Sequence, residues 1–199
     1  GRIGYLHLPD MGGDGLVQFV KGFYPQIQKQ ALVVDVRNNH GGVVSQMILE
    51  RLNRKVMAYD KPRRGIVSTY PEKVHIGPKV CLIDEHSGSD GDIFPFNFRQ
   101  YGLGKLIGKR SWGGVVGIRS DKAFIDAGMS SQPEFAYFHG TEGWNIEGHG
   151  VDPDIEVEFR PEDELAGRDP QLDRAIAELS KLLEANPPKL PAPPPLPNV

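Results

Sequence analysis

The chain has 199 residues, with 23 Lys and Arg against 26 Asp and Glu for a formal net charge of −3. That length fills one large domain with a substantial core, and 39% hydrophobic with 25% charged residues excludes a wholly disordered chain. The charge points away from nucleic acid or a basic membrane patch, no apolar run reaches the about 18 residues of a membrane span, and the single Cys81 excludes an internal disulfide and suits a reducing, cytoplasmic compartment.

Ile3-Gly4-Tyr5-Leu6-His7-Leu8 alternates apolar with small or polar residues and stops at Pro9, which predicts a strand. These opening residues resemble neither a leader nor a usual protein start, so the chain reads as a piece of a longer one. A loop with Gly12, Gly13 and Gly15 follows. From Leu16 to Tyr24 the apolar spacing predicts an amphipathic helix that ends near Pro25. Ala31 to Val36 is a continuous apolar run broken only by Asp35, the pattern of a strand buried on both faces.

Asn38-Asn39-His40-Gly41-Gly42 is a tight turn, and helical periodicity runs from Val43 to Asn53. Lys79 to Asp84 is a second buried strand, Ser87 to Asp92 a second turn, and Gly91 to Tyr101 a helix despite Pro95. A further strand starts at Lys105. From Trp112 to Val157 short strands are punctuated by glycine, and Pro170 to Leu183 is an amphipathic helix with Asp169 as its N-cap.

The order predicts an α/β fold of repeated strand, turn and helix units over residues 1–186. Of 24 glycines, 23 precede residue 151, and 7 of 17 prolines lie in residues 187–199, which predicts an extended, mobile tail.

Loops at the C-terminal ends of strands are where α/β folds build sites. In Asp84-Glu85-His86-Ser87-Gly88-Ser89-Asp90-Gly91-Asp92 a serine directly precedes a helix, whose first-turn N–H groups can stabilise a developing oxyanion. The competing reading is that Ser87 or Ser89 only caps that helix. In the turn before Gly41-Gly42, paired glycines let backbone approach a ligand closely. A phosphate-binding loop there lacks both G-x-x-x-x-G-K-[ST] and G-x-G-x-x-G, so a structural turn is the alternative. No metal or cofactor is expected: the six histidines are scattered and there is no second cysteine.

Asp35-x-Arg37-x-Asn39-x-Gly41-Gly42, then Glu85-x-Ser87-Gly88-Ser89-Asp90-Gly91-Asp92, then Gly108-Lys109-Arg110-x-Trp112-Gly113-Gly114 occur in order. From Ile3 to about Val157 the chain resembles the C-terminal-processing and tricorn serine peptidases, nearest the tricorn branch. The resemblance implies a ClpP/crotonase-like fold of ββα/βαβ units and peptide-bond hydrolysis. It implies Ser89 as nucleophile, the N–H groups of Gly42 and Asp90 as oxyanion hole, with Gly41 the less favoured register, and Glu147 as support for the catalytic hydrogen-bond network. Asp60 matches an acid that lines the pocket for the side chain before the scissile bond, reaching into a symmetry-related subunit. A solvated surface role is the alternative for both Glu147 and Asp60.

A serine hydroxyl needs a base near neutral pH. Lysine-dyad relatives place a Lys in the third motif, where Lys105 and Lys109 lie, but the local pattern follows the tricorn branch, which does not use it. That branch takes a His, with a Ser beside it, from a domain upstream of its PDZ domain. None of the six histidines here matches it, although His86 and His40 border the two turns. The leading reading is a peptidase domain whose base comes from a propeller-, His- and PDZ-bearing remainder of the same protein, in a homo-oligomer, hexameric by resemblance. Alternatives are an inactive peptidase-like scaffold and an acyl-CoA enzyme of the crotonase type.

Overall fold

The computed structural model describes residues 1–119, 121 and 123–195. In chain order its elements begin with β1 (Ile3–His7), α1 (Gly13–Phe23), β2 (Ala31–Asp35) and α2 (Ser45–Leu52). A short hairpin, β3 (Ala58–Asp60) and β4 (Ser68–Tyr70), precedes β5 (Lys79–Ile83), α3 (Asp90–Gln100) and β6 (Gly104–Gly108). A second hairpin, β7 (Gly117–Arg119) and β8 (Gln132–Phe135), is followed by β9 (Ile155–Glu156), α4 (Pro161–Leu165) and α5 (Pro170–Ala185).

Five strands form one parallel sheet in the order β1-β2-β5-β6-β9. All five residues of β2 and of β5 are buried, as an apolar run without alternation demands. Alternate residues divide between two layers. Leu32, Val34, Cys81 and Ile83 face α1, α2 and α3 through Phe19, Ile48 and Phe94. Ala31, Val33, Val80 and Leu82 face α5 through Ala175, Leu179 and Leu183. Truncating a fully buried aromatic such as Phe94 in such a core costs about 3–5 kcal/mol.

The mixed α/β fold is the expected one, and the differences lie at element ends. Helix α1 starts at Gly13, inside the predicted glycine loop, because Asp10 Oδ1 accepts the Gly12 and Gly15 N–H groups at 2.6 and 3.1 Å. A neighbouring carboxylate thus satisfies amides that the first turn leaves open. Asp169 caps α5, its Oδ1 accepting the Leu172 N–H at 2.9 Å. The β3–β4 hairpin and α4 carry no apolar period, since their residues are mostly exposed, and sequence patterning misses them. Residues 187–195 of the predicted tail carry no helix or strand, and Pro188 is half-buried; residues 196–199 lie outside the described residues. Among the described residues no helix is long and apolar enough to cross a membrane.

Candidate active site

The two glycine turns follow β2 and β5, adjacent parallel strands, so both open at the same edge of the sheet. Asp84 fastens them together. Its carboxylate accepts the Asn38 N–H at 3.0 Å and the Ser87 hydroxyl at 2.8 Å. Ser87 is fully buried and its Oγ also lies 2.7 Å from the Val36 carbonyl, so its role is to hold the turn. The Gly88 N–H adds a bond to the Asn39 carbonyl at 2.9 Å.

Ser89 differs from Ser87 in every respect. It has φ +58° and ψ −123°, a backbone conformation that non-glycine residues adopt rarely and mostly at functional sites. It stands at the N-cap position of α3, yet its side chain makes no capping bond. The helix-cap reading of this serine therefore fails: the Gly91 and Asp92 N–H groups that a cap would reach donate instead to the Gly88 and Ser89 carbonyls, at 2.8 and 2.9 Å. Ser89 N–H donates to the Gly114 carbonyl at 3.0 Å, and Trp112 N–H to the Ser87 carbonyl at 2.9 Å. The third motif is thereby laid along the Ser89 turn, with the exposed Trp112 indole against Gly88.

Gly41, at φ +93°, is where the turns meet. A Cβ there would lie 2.6 Å from Ser89 Cβ, 2.9 Å from Ser89 Oγ and 2.8 Å from Asp90 N. Only glycine admits that approach. Gly41 spends its own N–H on Asn39 Oδ1 at 2.9 Å. Among the described residues the N–H groups of Gly42 and Asp90 have no hydrogen-bond partner. Two free donors thus flank the serine, one from each turn.

Asp90 also acts through its side chain. It is buried, accepts the Ser45 hydroxyl and N–H, and burial pushes its carboxyl above the usual carboxylate range against those bonds. Burial likewise raises Asp92, whose Oδ1 accepts the Gly113 N–H at 2.9 Å and ties the third motif to α3. Ser45 was missed in the sequence and Asp84 was read only as the start of its turn, because an isolated polar residue beside a motif carries no spacing signal for its partner.

Glu147 is exposed, and its Oε2 accepts the N–H groups of Val115 and Val116 at 2.7 and 2.8 Å. It reaches the Ser89 region through one strand of backbone, since Gly114 holds the Ser89 amide. Asp60 lies on the exposed β3–β4 hairpin, and no hydrogen bond among the described residues joins it to the Ser89 turn. His40 and His86 are exposed and make no hydrogen bond to Ser89 among the described residues; His86 faces a cleft shared with Arg37 and Asp169. The two lysines are committed elsewhere. Lys105 pairs with Glu178 at 2.6 Å, and Lys109 with Glu156 and Glu158, both at 2.6 Å. Bonding to those carboxylates raises Lys109, the reverse of what a general base requires. Among the described residues no group of three or more His, Cys, Asp or Glu is placed to hold a metal ion.

A parallel α/β sheet thus carries a serine on a strained turn ahead of a helix with two free amides beside it, an arrangement chemically suited to acyl transfer at a hydroxyl. The pattern of Peptidase family S41 matches residues 2–157, and the chain belongs to that family. It is 51% identical over 176 residues to the Tricorn protease of Thermoplasma acidophilum, covering 88% of this chain and 16% of that protein. It is 45% identical over 191 residues to Tricorn protease homolog 1 of Streptomyces coelicolor, covering 96% of this chain and 18% of that protein. A crystal structure of the tricorn protease matches with a TM-score of 0.85 and 50% identity, over 92% of this chain and 18% of that chain. The chain spans less than a fifth of the length of these relatives.

Proposed function

We propose that the chain is the nucleophile-bearing domain of a serine peptidase that cuts peptides through an ester on Ser89. The observation that carries this reading is the Ser89 hydroxyl, unspent on its helix and bordered by the free N–H groups of Gly42 and Asp90. Ser89 Oγ forms a bond to the scissile carbonyl carbon and gives its proton to a base. The carbonyl oxygen becomes an oxyanion that accepts the Gly42 and Asp90 N–H groups; such preorganised donors are typically worth about 2.7–4 kcal/mol each in the transition state. Collapse expels the amine, which takes the proton, and water then hydrolyses the ester.

The base is a histidine from another part of the same protein. The commitment of Lys105 and Lys109 to ion pairs supports that assignment, as does the exposed position of Glu147, whose Oε1 has no hydrogen bond among the described residues. In this reading Glu147 supports the hydrogen-bond network of the incoming histidine and its serine, and Asp60 on its projecting hairpin offers a carboxylate to basic side chains at a neighbouring copy. A cytoplasmic homo-oligomer, hexameric by family resemblance, with propeller and PDZ domains, completes the reading.

The test is hydrolysis of fluorogenic peptides with Arg or Leu before the scissile bond. The full-length protein hydrolyses them, its Ser89→Ala variant does not, and the 199-residue chain alone shows little activity. Equal rates for the full-length protein and the variant would overturn the reading in favour of an inactive scaffold.

A further inference from the structure

At the edge of the sheet opposite Ser89, a cavity of about 750 Å³ opens at the start of β5. The five residues of β5 separate it from the nucleophile turn by roughly 17 Å at about 3.3 Å per residue. Its floor carries Lys79, a lysine 7% exposed. Lys79 Nζ donates to the His75 carbonyl at 3.1 Å and the Gly77 carbonyl at 3.3 Å, which leaves one of its three N–H donors unused. Arg54, Lys55 and Lys189 line the same cavity, and no Asp or Glu does. Among the described residues none of these four cations has a carboxylate partner within 4.0 Å.

Four cations converge on this one cavity without a carboxylate in its lining, a local excess of positive charge on a chain of net charge −3. A buried charge is ordinarily paired, because leaving water without a partner is costly. Burial and the neighbouring Lys55 charge hold Lys79 down at about 8, so the unmet electrostatic demand is felt at the ammonium itself. Apolar side chains, among them Leu52, Val56 and Leu103, form the remaining wall.

We infer that this cavity is a binding site for a phosphate group, held by Lys79 with Arg54, Lys55 and Lys189 and separate from the Ser89 site. A dianion with several acceptor oxygens answers the excess of donors better than a single carboxylate. Its source is either free inorganic phosphate or a phosphate monoester whose organic part covers the apolar wall.

The test is isothermal titration calorimetry of the chain at pH 7 and low salt, with inorganic phosphate and with phenyl phosphate as probes. Both bind saturably, and binding weakens as salt is raised. Phenyl phosphate binding more tightly identifies a monoester site, and equal affinities identify a site for the free ion. Lys79→Met weakens binding on the order of tenfold or more, as loss of a charge-assisted contact does. Should that variant fail to fold, the exposed-side double variant Arg54→Gln/Lys55→Gln weakens binding in the same direction, while Lys21→Gln on α1 leaves it unchanged. Absence of saturable binding by either probe, or wild-type affinity in the double variant and in folded Lys79→Met, overturns the proposal.

Discussion

The carboxylate of Asp90 accepts the Ser45 hydroxyl at 2.5 Å and the Ser45 N–H at 3.0 Å. Ser45 opens α2, whose own N-cap position is held by Val44 and supplies no capping side chain. Helix α2 is therefore capped from α3, by the residue whose own N–H stands beside Ser89. The turn carrying Gly42 lies between Met11 and Ser45, with the Val43 and Val44 N–H groups both on the Met11 carbonyl at 2.7 and 3.0 Å. One side chain thus sets the spacing of the two free amides.

Ser45→Ala removes the hydroxyl and leaves one Asp90 oxygen buried without its donor. The expected loss is about 1–2 kcal/mol of stability, in the range of a lost cap or an unsatisfied buried group. Urea unfolding measures it, and Ser45→Thr recovers most of the loss. Stability unchanged in Ser45→Ala would show that the pair contributes nothing.

Two neighbouring glycines respond differently to the same substitution. In Gly41→Ala the new methyl meets Ser89 Cβ and Oγ, so hydrolysis by the full-length protein falls by about 100-fold or more, as expected when a nucleophile is displaced by an ångström. In Gly42→Ala the methyl would lie 2.0 Å from the Met11 carbonyl oxygen, which is backbone and has nowhere to go. That variant loses thermal stability first. Circular dichroism melts beside activity assays separate the two, and equal melting losses would contradict the assignment.

Glu147→Gln keeps an oxygen for the Val115 and Val116 amides, whereas Glu147→Ala frees both. Hydrogen exchange at those two amides stays slow in the first variant and accelerates in the second. If the charge of Glu147 supports the base, the full-length Glu147→Gln protein loses activity with its fold intact. Full activity in that variant would reduce Glu147 to a clamp.

His75 predicts an acid limit to stability. Burial, with the charge of Lys79 adding to it, holds its imidazole at about 4 against an ordinary 6.5. The unfolded chain therefore takes up a proton below about 6.5 that the folded chain refuses until about 4. Stability is complete above 6.5 and falls as pH drops through that window, by an amount on the order of 3 kcal/mol. Denaturant midpoints measured from pH 7 to 4 show the decline in the wild type. His75→Phe shows a shallower one, and identical slopes would remove His75 as the cause.

The sequence motifs were legible because each residue has a geometric duty. Asn39 ties its turn in both directions, its Nδ2 to the Leu8 carbonyl and its Oδ1 to the Gly41 amide. Arg37 joins Asp35 to the cap of α5, at 2.6 Å from Asp35 and 2.8 Å from Asp169. The buried strands were equally readable, since β2 and β5 have no polar face to disguise. What stayed hidden was long-range pairing. Asp84 on Asn38 and Asp90 on Ser45 join residues 46 and 45 positions apart, and no local pattern announces such partners. Spacing alone also could not separate Ser87 from Ser89; burial of one and the strained backbone of the other do.

The central claim is that Ser89 is the attacking group, and covalent capture tests it most directly. The full-length protein is treated with a peptidyl phosphonate and analysed by intact mass and peptide mapping. One adduct per chain is expected, mapped to Ser89 and absent from Ser89→Ala, with Ser87 unmodified. A stoichiometric adduct on any other residue, or one that persists in Ser89→Ala, would contradict the account.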